Sequence, residues 1–396
     1  GLKCNERDEI RFIDAYKAHD IPLDYWWMDA GWYPCRTWTE TGTWEVDRER
    51  FPRGLRSISD HAHDQGMGLI LWFEPERVAP GTWLAGQSEW LLTAGDGEDL
   101  PEWARRWRLL DLGNPEARMW LVDHVDRLMV AEGVDLYRQD FNIDPLPFWR
   151  HADAEDRQGL TEIRYVTGYL AYWDELIRRH PGMLIDSCAS GGRRNDIETL
   201  RRAVPLLRSD YQSFAGDPAY ATGNQGHTYA LASWIPYFGQ GVYFNPQDFA
   251  YSARSSLSPG FGIAVDVRRE DIDWAAVRQA AGDWQRAAPY MLSDFHPLTA
   301  YTLDENTWVA WQFHDPATGS GIVQAFRRKD ALTDGACFPL RGLTAEAQYS
   351  VTDLDGGEPV EYSGQTLTQQ GLPVTLNTRP AAAILLYKRT AQGASA

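Results

Sequence analysis

The feature that most constrains the fold is an alternation of short apolar runs with amphipathic helical stretches, kept up from residue 6 to about residue 290. Residues 6–18, ERDEIRFIDAYKA, put Ile10, Phe12, Ile13 and Tyr16 on one helical stripe. IPLDYWWMDAGWY then reads as a strand ending in a glycine turn, and HAHDQGMGLILWFEPERV repeats the plan, with Gly66 and Gly68 leading into a strand from Leu69 to Phe73. NPEARMWLVDHVDRLMVAEG reads as a helix with Asn114 as N-cap, Pro115 in its first turn and Gly133 at its close. VDLYRQDFN follows as a strand, LTEIRYVTGYLAYWDELIRRH as a helix stopped by Pro181, and GMLIDSCASGG as a strand and loop. RRNDIETLRRA, with Asn195 and Asp196 at its start, reads as a helix and VPLLRSD as a strand. GNQGHTYALASWIPYFG reads as a helix, GVYFNPQ as a strand and IDWAAVRQAAGDWQRAAPYML as a last long helix. The strands lack strict alternation, as in parallel sheets covered on both faces.

Repeated βα units over this length predict a (β/α)8 TIM barrel. The rival, an open doubly wound sheet, wants a GxGxxG after its first strand, and none is present. Counting from IPLDYWWMD, the strands read fall short of eight, and the first barrel strand is expected to be missing. That leaves two exposed edges, and the chain is expected to be a fragment of a longer protein. After residue 300 the texture changes. TWVAWQFHD, GSGIVQAFRR, AQYSVTDLDGG, GLPVTLN and AAAILLYK alternate apolar and polar residues between turn signals, which predicts a C-terminal antiparallel β-sandwich. The expected domains are 1–297 and 298–396, with the final TAQGASA frayed.

Net charge is −18, which repels phosphate backbones and anionic lipid, so nucleic acid and membrane surfaces are poor partners. A neutral substrate fits better. No run of 18 apolar residues is present, and no charged n-region precedes an apolar h-region, so the expected location is cytoplasmic. Cys4, Cys35, Cys188 and Cys337 have no CxxC spacing and read as free thiols. Eighteen Trp and eighteen Tyr exceed what core packing asks, and flat aromatic faces suit pyranose rings.

Barrel enzymes keep their reacting groups at the C-terminal ends of strands. Here those positions are Asp29, then Trp72, Glu74 and Glu76, then Arg138 and Asp140, then Asp186 and Cys188, then Arg208 and Asp210. Five successive strand ends each bring a carboxylate. Two carboxylates among Trp and Arg suit glycosidic bond cleavage: one attacks the anomeric carbon, the other protonates the leaving oxygen and later activates water. The acid needs a raised pKa, and the nucleophile must stay ionised, which a neighbouring cation assists. Arg138 stands two residues before Asp140, so both lie on one face of a strand. The plainer reading is a structural Arg–Asp pair. Glu74 and Glu76 are expected to shape the mouth, and His61 and His63 to be surface histidines rather than metal ligands.

These motifs together resemble the family 36 glycoside hydrolases, the melibiase-type α-galactosidases. WMDAGWY at 27–33, LWFEPERV at 71–78, LDLGNPEAR at 110–118, YRQDFN at 137–142, DSCASGGRRND at 186–196 and RSD at 208–210 carry the resemblance, in order and at matching spacing. The resemblance implies a retaining exo-α-galactosidase without metal or cofactor, with Asp140 as nucleophile and Asp210 as general acid/base. It implies sugar contacts from Asp29, Trp72, Arg138, Cys188 and Gly191 or Gly192. An upstream arginine is also implied; Arg105, Arg106 and Arg108 compete, and Arg105 is preferred. The partner is then a small glycoside or oligosaccharide, with a homo-oligomer in the full-length protein.

Two departures stand out. The family pattern Asp-Asp-Gly-Trp becomes Asp29-Ala30-Gly31-Trp32, and Arg138 replaces the usual Lys. An alanine accepts no hydrogen bond, and losing a charge-assisted bond to a hydroxyl costs about 1.5–3 kcal/mol. A related sugar therefore stays open: a β-L-arabinopyranoside, which lacks the C6 hydroxyl, or an α-N-acetylgalactosaminide. So do transglycosylation and a non-catalytic carbohydrate-binding fragment.

Overall fold

The computed structural model describes residues 4–97, 100–235 and 237–390. It divides into two compact units, Gly1–Pro205 and Leu206–Ala396.

In the first unit the expected βα alternation builds a parallel sheet. Its strands are β1 (Tyr25–Met28), β2 (Gly68–Phe73), β3 (Leu136–Gln139) and β4 (Ile185–Ser187), hydrogen-bonded in that order. Helices α1 (Glu6–Ala18), α2 (Arg56–Asp64), α3 (Pro115–Glu132) and α4 (Leu160–Arg179) alternate with the strands. Their ends are set by local chemistry. The Asn5 side chain accepts from Asp8 N and caps α1. Asn114 accepts from Glu116 N, Pro115 opens α3, and Gly133 closes it with a left-handed φ of 69°. All of β2 after Gly68 is buried, which is the two-sided burial its unbroken apolar run predicts.

Register decides what the site receives. Trp72 is aligned with Arg138, and Arg138 with Asp186. Side chains of laterally aligned residues share a face, so these three stand in one row. Leu71, Tyr137 and Ile185 form the row beneath, fully buried in the hydrophobic core.

Several elements depart from expectation. VPLLRSD forms no extended strand; Val204 makes an isolated parallel bridge to Asp186. RRNDIETLRRA shortens to a helix over Ile197–Leu200, capped by Asp196, which accepts from Glu198 N and Thr199 N. A small antiparallel sheet of Arg77–Val78, Arg108–Leu110 and Leu91–Leu92 follows β2. Its pieces are too short to carry a period.

In the second unit β5 (Gly239–Tyr243) pairs in parallel with β6 (Gly260–Ala264). Sequence reading overlooked β6 because GFGIA holds two glycines and follows Pro259, which lowers its strand signal. The C-terminal antiparallel sheet is present. Its six strands run in the order Asp294–Pro297, Trp308–Asp315, Ser320–Arg327, Ala381–Arg389, Gln348–Asp353, Val360–Ser363. Trp308 and Ala310 pack into one core with Phe338 and Leu372, whereas Val309, Trp311 and Phe313 pack into another with Leu257 and Met291. The layer facing the first core is a two-stranded sheet, Gly335–Phe338 with Leu372–Thr375. The antiparallel sheet begins at Asp294, close to the expected boundary at residue 297, while the compact units divide at 205/206. The expectation for the last residues falls outside the described chain beyond Thr390.

Gly168 marks the tightest packing in the first unit. A Cβ there would meet the Leu112 carbonyl oxygen at 1.9 Å. Gly168→Ala is expected to destabilise the chain by about 1–3 kcal/mol in urea titration. Gly282→Ala, in the helix Trp274–Ala287 with nothing within 4 Å of its Cβ, is expected to stabilise it by about 0.5–1 kcal/mol.

Candidate active site

The C-terminal ends of β1 to β4 deliver Asp29, Glu74, Asp140 and Cys188 just past their last residues, with Trp72, Arg138 and Asp186 inside the strands. Asp140 N donates to Phe73 O at 2.8 Å, which extends the β2–β3 ladder one step and holds the aspartate at its end.

Asp140 is 8% exposed. Its two oxygens are unequal. Oδ1 accepts from Phe141 N at 2.7 Å and Ser190 N at 3.2 Å; Oδ2 accepts from the Trp72 indole N–H at 3.2 Å. Burial pushes the Asp140 pKa up, but the Arg138 cation and hydrogen bonds from Asn142, Phe141 and Cys188 outweigh it, and the carboxyl ends below its ordinary value.

Arg138 is itself buried, at 3% exposure. Its Nη1 donates to Asp186 Oδ2, its Nε lies 3.7 Å from Asp29 Oδ2, and its guanidinium sits 4.5 Å from the Trp27 ring centre. Burial alone would weaken its charge; Asp186, then Asp29 and Asp140, reverse that and hold it protonated. Asp29 is exposed, and its Oδ2 also accepts from Trp27 Nε1 at 3.1 Å.

Cys188 is buried, and burial pushes its thiol pKa up, so it stands here as a neutral thiol beside Asp140. The loop after it turns sharply: Ser190 has φ 45° and Gly191 φ 84°. Ala189 N donates to Gly191 O at 2.9 Å and Ala189 bridges Gly192. The glycine makes the turn possible that aims Ser190 N at Asp140.

Glu74 and Glu76 are fully buried. Glu74 accepts from Asn142 N (2.6 Å), Asn142 Nδ2 (3.1 Å) and Arg77 Nη2. Glu76 accepts from Gln139 Nε2 (2.7 Å), Tyr165 OH (2.6 Å) and both terminal nitrogens of Arg194 (2.7 and 2.8 Å). Arg194 is stacked on Phe141 at 3.7 Å and Tyr169 at 4.3 Å. These bonds tie Glu74 to Asn142, just after β3, and Glu76 to Arg194, in the loop after β4.

Arg105 lies exposed on the short helix Glu102–Arg106, where its carbonyl accepts from Arg108, and Arg106 pairs with Glu102 at 3.3 Å. Among the described residues no hydrogen bond or ion pair joins Arg105 to the Asp140 cluster. Arg77 is the upstream arginine in that cluster, held between Trp38 (4.9 Å) and Trp107 (4.7 Å). Sequence reading passed over Arg77, Asn142 and Arg194. The signal for all three was weak but present: Arg77, Asn142 and Arg194 lie inside LWFEPERV, YRQDFN and GGRRND.

In the second unit Asp210 is exposed and opens a 3-10 turn capped by Ser209, whose Oγ accepts from Tyr211 N. Arg208 is buried and donates to Thr228 Oγ1 (2.8 Å) and Asn224 O (2.9 Å); burial brings its pKa down to about 9. His61 and His63 each meet a different carboxylate, Asp14 and Asp135, and no metal-holding cluster of His, Cys, Asp or Glu occurs among the described residues. Nor is any described helix long and apolar enough to cross a membrane.

Carboxylates, indoles and guanidinia gathered at the C-terminal ends of parallel strands define a site of the α/β glycoside-hydrolase type. The sequence model of the Melibiase family matches residues 5–214, a span that includes both Asp140 and Asp210. The chain belongs to this family. Alpha-galactosidase 1 of Pediococcus pentosaceus is 29% identical over 319 residues, which are 78% of this chain and 43% of that protein. Alpha-galactosidase Mel36A of Lactobacillus acidophilus is 29% identical over 206 residues, 51% of this chain and 28% of that protein. A variant of the GH36 α-galactosidase AgaA of Geobacillus stearothermophilus, solved in complex with raffinose, has the same fold: TM-score 0.84 at 20% identity, over 98% of this chain and 54% of that one. The chain thus spans half or less of the length of these curated relatives.

Removing Arg194 leaves Glu76 buried without a counter-charge. Arg194→Ala is expected to lower unfolding free energy by about 3–5 kcal/mol in chemical denaturation. The double variant Arg194→Ala with Glu76→Gln is expected to recover part of that loss.

Proposed function

We propose that the chain carries the catalytic part of a retaining exo-glycoside hydrolase that releases terminal α-galactosyl residues from oligosaccharides in the cytoplasm. In this reading the parallel strands belong to a (β/α)8 barrel followed by a β-sandwich domain. Asp140 is the nucleophile and Asp210 the general acid/base. The observation that carries the proposal is the state of Asp140: a nearly buried carboxylate kept ionised by Arg138. Oδ1 accepts from two backbone N–H groups and Oδ2 from the Trp72 indole, and the ionised carboxylate is the form that attacks an anomeric carbon. Ionisation at ordinary pH is what a nucleophile in this chemistry needs.

The first step forms the bond from Asp140 Oδ2 to the anomeric carbon and breaks the glycosidic bond, with a proton from Asp210 going to the leaving oxygen. In the second step Asp210 takes a proton from water, whose oxygen displaces Asp140. Asp29, Arg138, Cys188, Gly191 and Gly192 are proposed to contact the sugar, with Trp72 setting the floor. Support for an oligosaccharide substrate comes from the solved AgaA variants, which hold raffinose and stachyose.

Ala30 bears on the sugar. It follows Asp29 directly and its N–H donates to Asp29 Oδ1 at 2.8 Å, so it orients Asp29 without adding an acceptor. Asp140→Asn is expected to cut turnover of p-nitrophenyl α-galactoside about 10^3-fold or more while sugar binding persists. Turnover at the wild-type rate would remove Asp140 from the mechanism. Ala30→Asp is expected to raise the preference for α-galactoside over β-L-arabinopyranoside by about ten- to a hundredfold, measured as the ratio of kcat/KM values. Wild-type preference for the arabinopyranoside would instead identify the C5-sugar as the substrate.

A further inference from the structure

We propose that Glu74 is a positioning residue that, through Asn142 and Ser190, sets the orientation of the Asp140 carboxylate; this rests on the reading of Asp140 as nucleophile. The chain of contacts is continuous. Both the backbone and the side-chain nitrogen of Asn142 donate to Glu74, at 2.6 and 3.1 Å. With its amide thus turned, Asn142 Oδ1 faces Ser190 Oγ at 2.8 Å. Ser190 N in turn donates to Asp140 Oδ1 at 3.2 Å. Asn142 also hydrogen-bonds Asp140 from its side chain. Ser190 holds a left-handed backbone, φ 45°, which a serine adopts only when its surroundings insist. Its hydroxyl is held by Asn142 Oδ1 at 2.8 Å, with Arg193 Nη2 donating to the same hydroxyl at 3.3 Å.

Glu74 does not act on the substrate itself. It is fully buried and all its recorded partners are protein donors. The titratable and charged groups that face it are Arg77 on the following turn, Asp140 at the end of β3, and Tyr33 beyond β1. Arg77 is immobilised between Trp38 and Trp107, so the far end of the network is anchored as well.

The device depends on pH. Every partner donates, so the network needs the carboxylate form. Burial first, and the charge of Asp140, push the Glu74 pKa up to about 7 against the pull of Arg77 and Asn142. Above that pH the network is complete. As pH falls through it, protonation sets an O–H among donors and releases Asn142.

The test uses hydrogen exchange by mass spectrometry on the full chain, beside kinetics on p-nitrophenyl α-galactoside. Glu74→Gln and Asn142→Ala are each expected to speed exchange at the Cys188–Gly192 loop about tenfold, with β2 unchanged and the double variant no faster than either single one. In the wild type, loop exchange corrected for intrinsic pH dependence is expected to rise as pH drops through about 7, and Glu74→Gln is expected to lack that step. Kinetically, kcat is expected to fall about ten- to a hundredfold with KM within about threefold. Should Glu74→Gln not fold, Ser190→Ala removes the hydroxyl that bonds Asn142 at 2.8 Å and accepts from Arg193 Nη2 at 3.3 Å, and is expected to loosen the same loop. Unchanged loop exchange in the folded variants, or effects that simply add, would overturn the proposal. A wild type that hydrolyses no galactoside yet shows the pH-dependent loop supports the network and overturns the hydrolase reading instead.

Discussion

The site depends on one buried cation. Arg138 is aligned between Trp72 and Asp186 across the sheet, so its position is set by strand register rather than by a loop. Around it stand Asp29, Asp140 and Asp186. Three carboxylates so close would repel one another and drive at least one to take up a proton. The guanidinium removes that pressure, and its planar fork explains why arginine can stand here. Nη1 meets Asp186, the Nε edge faces Asp29, and the flat face is covered by Trp27. A lysine offers one compact charge and no such face. Removing one partner of a buried pair of this kind costs about 3–5 kcal/mol, so the cation is as much a condition of the fold as of the chemistry.

Beneath this layer lies a second one with a different task. Glu76 accepts from Gln139, Tyr165 and Arg194, which holds the loop after β4 against α4 and the end of β3. Glu74 with Arg77 and Asn142 does the same for the loop after β3. Each loop that touches Asp140 is thus tied down by a buried acid–base pair. A loop carrying a reactive group gains little from being merely present; it must hold its atoms within a fraction of an ångström of the productive geometry.

Much of this was legible in the sequence, and the reason is periodicity. Helices α1, α3 and α4 and the strands β1 to β4 repeat a pattern over enough residues for the apolar period to speak. Asn114, Gly133 and Asp196 cap where their chemistry says they should. Reading only strand ends picked out Asp29, Asp140, Asp186 and Cys188 together, because a parallel sheet collects its C-terminal ends on one side. What escaped lacked a period or acted at long range. β6 hides behind its glycines. Arg77 sits in a two-residue strand, and its partners Trp38 and Trp107 come from distant segments. Arg105 lies exposed on a short helix and, among the described residues, makes no hydrogen bond or ion pair to the Asp140 cluster; adjacency in sequence says nothing about which side chain turns inward.

Two neighbouring buried carboxyls, Asp140 and Glu74, show how the division of labour arises. The charge of Asp140 raises the proton affinity of Glu74, and both suffer desolvation. Only one has the stronger remedy. Asp140 has Arg138, two backbone N–H groups, an indole and a thiol, and falls below its ordinary value. Glu74 has Arg77 and one asparagine, and rises to about 7. Environment alone therefore gives the higher proton affinity to Glu74, which is fully buried, and leaves Asp140 charged. Two groups pushed apart in this way usually mark an acid and a nucleophile. Here the enclosure of Glu74 breaks that correspondence: on the proposed reading its proton sets geometry rather than being delivered, and Asp210 is the acid for the leaving oxygen.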